Sequence, residues 1–474
     1  MMSKLLRKAE QLQRPDTMAR YQKFGLSDNP FPSEPYVNQD STDKRVNGGI
    51  YETEIHINEL HQVINNFIKK PQSDQNHLRL GYIIDTSYIG RGNGKSAFLL
   101  KLKQTIDNEY CLDLSDDKNK CFAIYFSPEL GGRTKTFPSF VDIFYQAIVR
   151  SGIIQNCLAT LRLESIKKVY STIYNNIEDT IESMSDEDLI TLLNDEEWFS
   201  KNSFDNALIS DEIYKHDFLQ QLPSEFPLFR GRNSWIKPFI SLKDFTDYYT
   251  NNLKRSSDRI TFVFSHLVNF FISAGFNGAY VFVDDFERVP DFQSERQKRD
   301  FALELRSCLF DGVYTNAKLG FYNFLLVLHA GVPRLIGDAW SASGMEHRAP
   351  IMPKVSSKHV IRFEKLSKKH ASLLIKKYLA EYRIEGQKLD PLYPFDEGAV
   401  QKIGELLEYN AAKILKMANE LLEKATELEE VSLINSSFIS KNLNIFEDES
   451  ISRGSTTKEV GTLDLQKKAK GKKK

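Results

Sequence analysis

The sequence has few residues that could cross-link the chain or bind a metal through sulfur. Its four cysteines are widely spaced and form no C-x-x-C pair, so we expect neither a zinc site nor a disulfide framework. Reduced thiols in a cytosolic protein are the expected state. No run of about 18 apolar residues occurs, and the charged start "MMSKLLRKAEQLQRPD" lacks the apolar region of a secretory signal. The sequence therefore predicts a cytoplasmic protein that does not contact a membrane.

The chain also lacks an excess of charge of either sign. It has 63 basic and 64 acidic residues, for a net charge of −1. Binding to nucleic acid would therefore require a local basic patch, because the whole chain does not attract a polyanion. The 474 residues, of which 41 % are apolar, are sufficient for two or three domains with substantial cores.

Short apolar runs alternate with stretches of helical periodicity. This alternation predicts an α/β fold with a parallel sheet covered by helices on both faces. The runs that predict buried strands are Leu78–Asp85, Cys121–Pro128, Ala279–Asp285, Asn323–Gly331 and His359–Leu366.

The predicted strands also define a domain organisation. The second and third strands are separated by about 150 residues, too many for a single crossover, so we expect a helical insertion between them. The predicted segments are an N-terminal lead-in at 1–50, an α/β core at 51–365 with a helical insertion at 155–255, an all-helical domain at 366–445 and a disordered basic tail at 446–474.

A glycine-rich turn follows the first predicted strand. The segment "IGRGNGKS" approximates the phosphate-binding (Walker A) pattern G-x-x-x-x-G-K-[S/T], with Ile89 where the first glycine normally stands. Glycines let backbone N–H groups surround a phosphate, and the following helix presents its positive N-terminus. Lys95 is expected to reach the β- and γ-phosphates, and Ser96 to bind Mg²⁺. The predicted nucleotide contacts are Gly90, Arg91, Gly92, Asn93, Gly94, Lys95 and Ser96.

Acidic residues end the third predicted strand, in "AYVFVDDFERVP". A nucleotide hydrolase of this class needs an acid at the end of a buried neighbouring strand to hold Mg²⁺, and Asp284 is the candidate. Asp285 is the candidate for orienting the attacking water, with Glu287 as the alternative. Solvated acids at a strand end are the other interpretation.

The fourth predicted strand ends in "LVLHAGVPR". His329 at its tip would lie between the other two motifs and could sense the γ-phosphate, although a core histidine would give the same pattern. Arg334 and Arg348 are candidates for an arginine that stabilises the transferred phosphoryl group in trans. Ordinary surface arginines are the competing interpretation.

Taken in order, these motifs resemble the AAA+ ATPases. The nearest resemblance is to the branch of initiator and origin-recognition ATPases, transposition-regulator ATPases and the general-secretion ATPase A. The segment "YQKFGLSDNPFP" is similar to their lead-in, and the loop fits theirs at Gly92, Gly94, Lys95 and Ser96. The segment "VDDFER" also resembles the KAP and signal-transducing P-loop ATPases of bacterial defence systems.

This resemblance implies a P-loop ATPase core, ATP and Mg²⁺ as cofactors, and assembly into a homo-oligomer. It also implies that the helices at 366–445 form a lid. The family's second-sensor arginine falls on Ala412, and Lys413 beside it is the candidate substitute.

Two hypotheses for function remain open at this point. The first is an ATP-hydrolysing switch or motor that acts on DNA or on a DNA-bound complex, in defence, transposition or replication. The second is a nucleotide-gated interaction module with little hydrolysis that recruits an effector protein such as a nuclease.

Several surface segments bear on the choice of partner. The stretch 178–197 holds nine acidic residues and no basic one, so we do not expect it to face DNA. Two basic loops could instead contact nucleic acid, with ordinary surface loops as the competing interpretation. Arg133 and Lys135 lie in one, and the other interleaves Arg230, Arg232 and Lys237 with Phe229 and Trp235.

Overall fold

The structure, a computed structural model, describes residues 19–68, 78–85, 92–110, 120–351 and 358–442. The chain divides into two compact units. The sheet unit is His56–Glu364, and the helical unit combines the residues up to Ile55 with those from Lys365 onward. The predicted basic tail at 446–474 lies outside the described residues. Among the described helices, none is both long enough and apolar enough to cross a membrane.

The sheet unit is built on five parallel strands. They are β1 (Leu80–Asp85), β2 (Cys121–Phe126), β3 (Gly278–Val283), β4 (Tyr322–Leu328) and β5 (Val360–Phe363). Their order across the sheet is β2-β3-β4-β1-β5, and every neighbouring pair is parallel. Helices cover both faces, so parallel strands are buried on both sides and appear in the sequence as continuous apolar runs. The predicted α/β fold with a parallel sheet is confirmed.

Helices make up most of the remaining structure. In chain order the α-helices are α1 (Ala19–Gln22), α2 (Ile57–Val63), α3 (Lys95–Thr105), α4 (Phe137–Arg150), α5 (Ile153–Val169), α6 (Ser171–Glu182), α7 (Asp186–Leu193), α8 (Glu196–Lys201), α9 (Asn206–Ile213), α10 (Asp217–Gln220), α11 (Leu242–Asp247), α12 (Ser256–Thr261), α13 (Leu267–Ser273), α14 (Glu295–Leu309), α15 (Thr315–Leu319), α16 (Val332–Ala342), α17 (Met345–Arg348), α18 (Lys368–Ala380), α19 (Glu397–Leu406), α20 (Ala411–Glu427) and α21 (Ser436–Asn442). Short π-helical turns extend α2 at Ile64–Ile68, α3 at Ile106–Tyr110 and α11 at Tyr248–Asn252. A fourth such turn, Phe262–His266, joins α12 to α13.

The strand order determines where a ligand can bind. The connection from β1 runs across the sheet to β2 at the edge, whereas the connections from β2, β3 and β4 all run the other way. Right-handed crossovers in opposite directions lie on opposite faces of a sheet. The connections that leave the adjacent strands β1 and β4 therefore lie on opposite faces of the sheet. In open α/β sheets, ligands bind in the crevice outside the carboxyl ends of two such strands. Asp85 ends β1 at this crevice, and Lys95 begins α3.

One face of the sheet carries most of the core. Tyr82, Ile124, Val281 and Phe324, from the four strands β1 to β4, belong to one buried cluster with apolar side chains of α4, α5, α13 and α14. On the opposite face, β1 has a glycine, Gly81, because a Cβ there would overlap the ring of Phe67. The aromatic ring thus lies directly on the backbone of β1, an interior strand of the sheet.

The helices of the predicted insertion share the sheet's core. Their buried side chains, including Ile209, Leu219 and Phe245, belong to the same cluster as those of the strands. The buried guanidinium of Arg162 joins three parts of this region, because it donates to the carbonyls of Leu193 (3.0 Å) and Ile240 and lies 3.9 Å from the ring centre of Phe239. Burial lowers the pKa of Arg162 to about 9.

The helical unit is assembled from both ends of the described chain. Helices α18 to α21 surround a core that includes Phe24, Leu26 and Phe31 from the lead-in. The Asn419 side chain donates to the Phe31 carbonyl (2.7 Å), and Leu26 forms an antiparallel bridge with Arg383. The lead-in is therefore an integral part of this unit's core.

The contact between Gly81 and Phe67 gives a test of the packing. We expect Gly81→Ala to lower the free energy of unfolding by about 1–3 kcal/mol, because the added methyl overlaps a buried ring. Adding Phe67→Leu to Gly81→Ala should recover part of this loss, measured by chemical denaturation as a double-mutant cycle. Additive losses would contradict the contact.

Candidate functional site

The first turn of α3 is shaped by two glycines. Gly92 has φ +112° and Gly94, the residue before the helix, has φ +89°. Residues with a Cβ rarely adopt these angles, whereas glycine does so without strain. Lys95 and Ser96 follow as the first two residues of α3, where free backbone N–H groups and the helix dipole favour an anion.

Lys95 is held by an acid at the end of β1. Its ammonium forms an ion pair with Asp85, whose side chain is fully buried, while the side chain of Lys95 is 12 % exposed. The buried amide of Asn93 donates to the other oxygen of the same carboxylate at 3.2 Å. One carboxylate thus binds both polar side chains at the end of the loop.

Ser96 contacts the second predicted motif. Its hydroxyl donates to the carboxylate of Asp284, which directly follows β3 and is 4 % exposed. The hydroxyl of Tyr125 on β2 donates to the same oxygen at 2.8 Å, and the backbone N–H of Asp285 donates to the other oxygen at 2.9 Å. The structure therefore brings the glycine loop and the acidic strand end together.

Burial controls the charge state of this acid. Burial raises the pKa of Asp284, and the neighbouring charge of Asp285 acts in the same direction, whereas the hydrogen bonds from Ser96 and Tyr125 oppose the shift. Burial also raises the pKa of Tyr125, which therefore keeps its proton for the Asp284 carboxylate. A bound cation would relieve the cost of holding this carboxylate ionised.

The candidates for orienting water lie on the next turn. Asp285 has a left-handed backbone (φ +47°), and its carboxylate forms an ion pair with Arg288 three residues on. Arg288 also donates to the carbonyl of Pro128 at 3.1 Å, which anchors the guanidinium beside the end of β2. Glu287 is buried on the 3₁₀ turn Phe286–Arg288.

The predicted sensor and arginines occupy different places. His329 follows Leu328, the last residue of β4, and Leu328 pairs with Ile84 of β1, so His329 lies at the same sheet edge as Asp85. Arg334 is exposed on the first turn of α16, which begins just after β4.

Arg348 lies elsewhere in the sheet unit. It is exposed at the end of α17, and burial together with the charge of Arg348 lowers the pKa of Arg79, the residue before β1. Arg348 is therefore near the amino end of β1 and apart from the cluster at the carboxyl ends. Within one chain, the structure does not bring it to Lys95 and Asp284.

The remaining predicted residues include one in the helical unit and two in the loop. Lys413 is exposed on the first turn of α20, where its backbone N–H donates to the side chain of Asn410 at 3.1 Å. Asn410 caps that helix, which explains the asparagine in "YNAAK". Gly90 and Arg91 lie outside the described residues, as does Ile89.

The residues of the cluster fit a magnesium ion that is bound together with phosphate. Mg²⁺ usually takes one or two protein oxygen ligands and completes its shell with waters and substrate phosphates. Ser96 Oγ and the Asp284 carboxylate are adjacent and suit this role. In the described part of the chain, no group of three His, Cys, Asp or Glu side chains is placed to hold a metal. The phosphates would thus have to supply part of the shell.

Three contributors to the site are not evident from the motifs alone. Asp85 is the one acid in the apolar run "LGYIID", and an acid at the end of a buried strand could have been recognised as a candidate site residue. Tyr125 carries no signal, because an aromatic residue in a buried strand is common. Arg288 could have been found from its position three residues after Asp285, where a short helical turn brings side chains together.

Comparison with protein-family models, with curated proteins and with solved structures finds no match for this chain. Its function must be inferred from the site.

The raised pKa of Asp284 gives a test that needs no ligand. A buried acid whose pKa is raised on folding opposes folding increasingly as the pH rises through that pKa. We expect Asp284→Asn to raise the melting temperature by more at pH 8 than at about pH 3, below the ordinary pKa of an aspartate, where the folded and unfolded carboxyls are both protonated. Differential scanning fluorimetry at both pH values measures the difference, with Asp338→Asn, at an exposed position of α16, as the control. An equal effect at both pH values would contradict the assignment.

Proposed function

We propose that this chain is a magnesium-dependent ATPase of the AAA+ type. The observation that carries the proposal is the contact between Ser96, at the start of α3, and Asp284, at the end of β3. The two residues belong to separate motifs of the sequence, and both are the residue types that such a site requires. Their position outside the carboxyl ends of the strands supports the same conclusion.

In this proposal the chain's own groups bind and orient the nucleotide. The N-terminus of α3 and the Lys95 ammonium receive the phosphates, and Ser96 and Asp284 hold Mg²⁺, which would neutralise charge on the phosphates. Asp285 or Glu287 orients the attacking water. His329 is assigned to the γ-phosphate, since β4 lies between β1 and β3 in the sheet.

The wider assignments follow from the resemblance to AAA+ ATPases. The helical unit would serve as the lid, with Lys413 contributing a positive charge to the nucleotide. Arg334 or Arg348 would act on the site of another copy, and the exposure of both supports that role. The polymer acted on would be DNA or a DNA-bound complex. Arg133 and Lys135 are exposed on the loop after β2, at the same sheet edge, and could contact it.

One observation favours the second candidate, a nucleotide-gated module with little hydrolysis. Asp285 stands where many AAA+ members have glutamate, and its carboxylate is engaged by Arg288. To accept a hydrogen bond from water, Asp285 must share or release this ion pair. Slow turnover with tight binding would then let the nucleotide regulate recruitment of an effector protein.

The pair between Lys95 and Asp85 implies an exchange of partners on binding. The Lys95 ammonium is neutralised by the buried carboxylate of Asp85. A phosphate must compete with that carboxylate for Lys95. Asp85 would therefore weaken nucleotide binding while stabilising the empty site.

We expect ATP with Mg²⁺ to raise the melting temperature of the wild type, and Lys95→Ala to weaken binding by about 100-fold or more, since the lysine contacts two phosphates. Calorimetry gives the affinity and phosphate release gives the turnover. Lys101→Ala, on the same helix, is the matched control.

Equal phosphate release from wild type and Lys95→Ala would contradict the ATPase assignment. If ATP stabilises the wild type but its turnover stays at the level of Lys95→Ala, the second candidate is favoured.

We expect Asp85→Asn to bind ATP about tenfold more tightly than the wild type, because Lys95 no longer leaves a buried carboxylate. The same variant without nucleotide should melt at a lower temperature, since it lacks a buried ion pair. Calorimetry and thermal melts test both effects, with the exposed Asp300→Asn as the control. Equal ATP affinities of the wild type and Asp85→Asn would show that Asp85 does not compete with the phosphates for Lys95.

A further inference from the structure

A buried histidine lies beside the glycine that precedes α3. His56, the residue before α2, is 5 % exposed. A Cβ at Gly94 would lie 3.9 Å from His56 Nε2, and apart from the neighbours of Gly94 in the chain no other atom of the described residues would come within 4 Å of it. Glycine is used where a backbone must approach a ligand closely. The imidazole therefore borders the open side of the turn where the proposed site would receive phosphate.

Two phenylalanines fix the orientation of the imidazole. Phe363, the last residue of β5, packs against its face, with ring centres 4.2 Å apart and planes tilted by 31°. Phe98 of α3 meets the imidazole edge to face, with ring centres 6.4 Å apart. The two phenylalanines also contact each other, with ring centres 5.1 Å apart. A ring held in this way loses little conformational entropy when it binds a ligand.

An acid lies at the other nitrogen of the ring. The Glu59 carboxylate is 3.9 Å from His56 Nδ1, and the Glu59 side chain is only 17 % exposed. Burial raises the pKa of Glu59, so a positive charge on the imidazole would favour the ionised form of this acid. A phosphate at Nε2 would place the imidazole between two acceptors. The form with a proton on each nitrogen, which donates from both, is then favoured.

The competing interpretation is a histidine that only packs in the core. An apolar side chain of similar size could fill the same place against Phe98 and Phe363, so the packing alone does not require two nitrogen atoms. In this structure one nitrogen faces an acid and the other faces the glycine turn. This arrangement of the polar atoms carries the inference.

We propose that His56 is a nucleotide-binding residue, which donates a hydrogen bond from Nε2 to a phosphate oxygen beside Gly94. This role rests on the proposed nucleotide site and adds to it a residue outside the glycine-rich motif. Lys95 must leave Asp85 before it can pair with a phosphate. The imidazole would supply a second positive group, so the phosphates would not depend on Lys95 alone.

Two variants of the full-length chain separate the hydrogen-bond donor from the packing. Glutamine and methionine have unbranched side chains of similar length, but only glutamine keeps an N–H donor. Methionine is tolerated better at a buried position, because an amide without a hydrogen bond is costly there. Without nucleotide, we therefore expect His56→Met to melt at a higher temperature than His56→Gln.

The ATP affinities of the two variants should follow the opposite order. We expect His56→Met to weaken ATP binding about 30-fold, the effect of losing a hydrogen bond to a charged group, and His56→Gln to weaken it less than about fivefold. Calorimetry in the presence of Mg²⁺ measures both affinities. Inorganic pyrophosphate, which has neither base nor sugar, should lose affinity for His56→Met by a similar factor. His61→Met, at an exposed position of α2, is the matched control and should bind ATP like the wild type.

Three results would overturn the proposal while leaving the nucleotide site in place. Wild-type ATP affinity in both variants would show that His56 only packs. Affinities that fall in the same order as the melting temperatures would show that the effect is structural. A loss for ATP without a loss for pyrophosphate would assign the contact to the base or the sugar. A wild type that does not bind ATP is a different result, because it would contradict the proposed function together with this inference.

Discussion

The hydrogen bond between Ser96 and Asp284 joins segments that are 188 residues apart in the chain. It can form because β3, β4 and β1 lie side by side and run in the same direction. Their carboxyl ends therefore lie together at one end of the strands. The apolar packing between α4, α5, α13 and the strands holds that order in place. The sheet and its helical insertion thus position the Ser96 hydroxyl and the Asp284 carboxylate in the crevice outside the carboxyl ends of the strands.

The polar groups at the carboxyl ends of these strands form hydrogen bonds and ion pairs with one another. Asp85 binds Lys95 and Asn93, Asp284 binds Ser96, and Asp285 binds Arg288. Buried charges without partners are costly, so these contacts stabilise the fold around the cluster. A triphosphate and its metal would replace the protein's carboxylates as partners of Lys95 and Ser96. The affinity would then be the difference between two sets of good contacts.

The sequence is informative where structure depends on local pattern. The five strands were predictable because parallel strands buried on both faces are continuous apolar runs, as in "AYVFV". The start of α3 was predictable because the glycines before Lys95 and Ser96 indicate a turn with positive φ angles. Pairing between distant residues was not predictable. The basic and aromatic pattern of "LFRGRNSWIKPF" is compatible with nucleic-acid contact or with an ordinary surface loop, and in the fold Asp211 and Asp244 pair with Lys237 and Arg230. For residues far apart in the chain, the linear sequence does not specify which acid pairs with which base.

The composition of the helical unit has a consequence for biosynthesis. Its core needs Phe24 and Phe31 from the lead-in together with the helices from Lys368 onward. The ribosome makes the entire sheet unit between these two parts. The sheet unit can fold while synthesis continues, but the apolar side chains of the lead-in must wait for the last helices to emerge. Until then, those side chains lack the helices of their own core, and transiently exposed apolar surface of this kind favours aggregation.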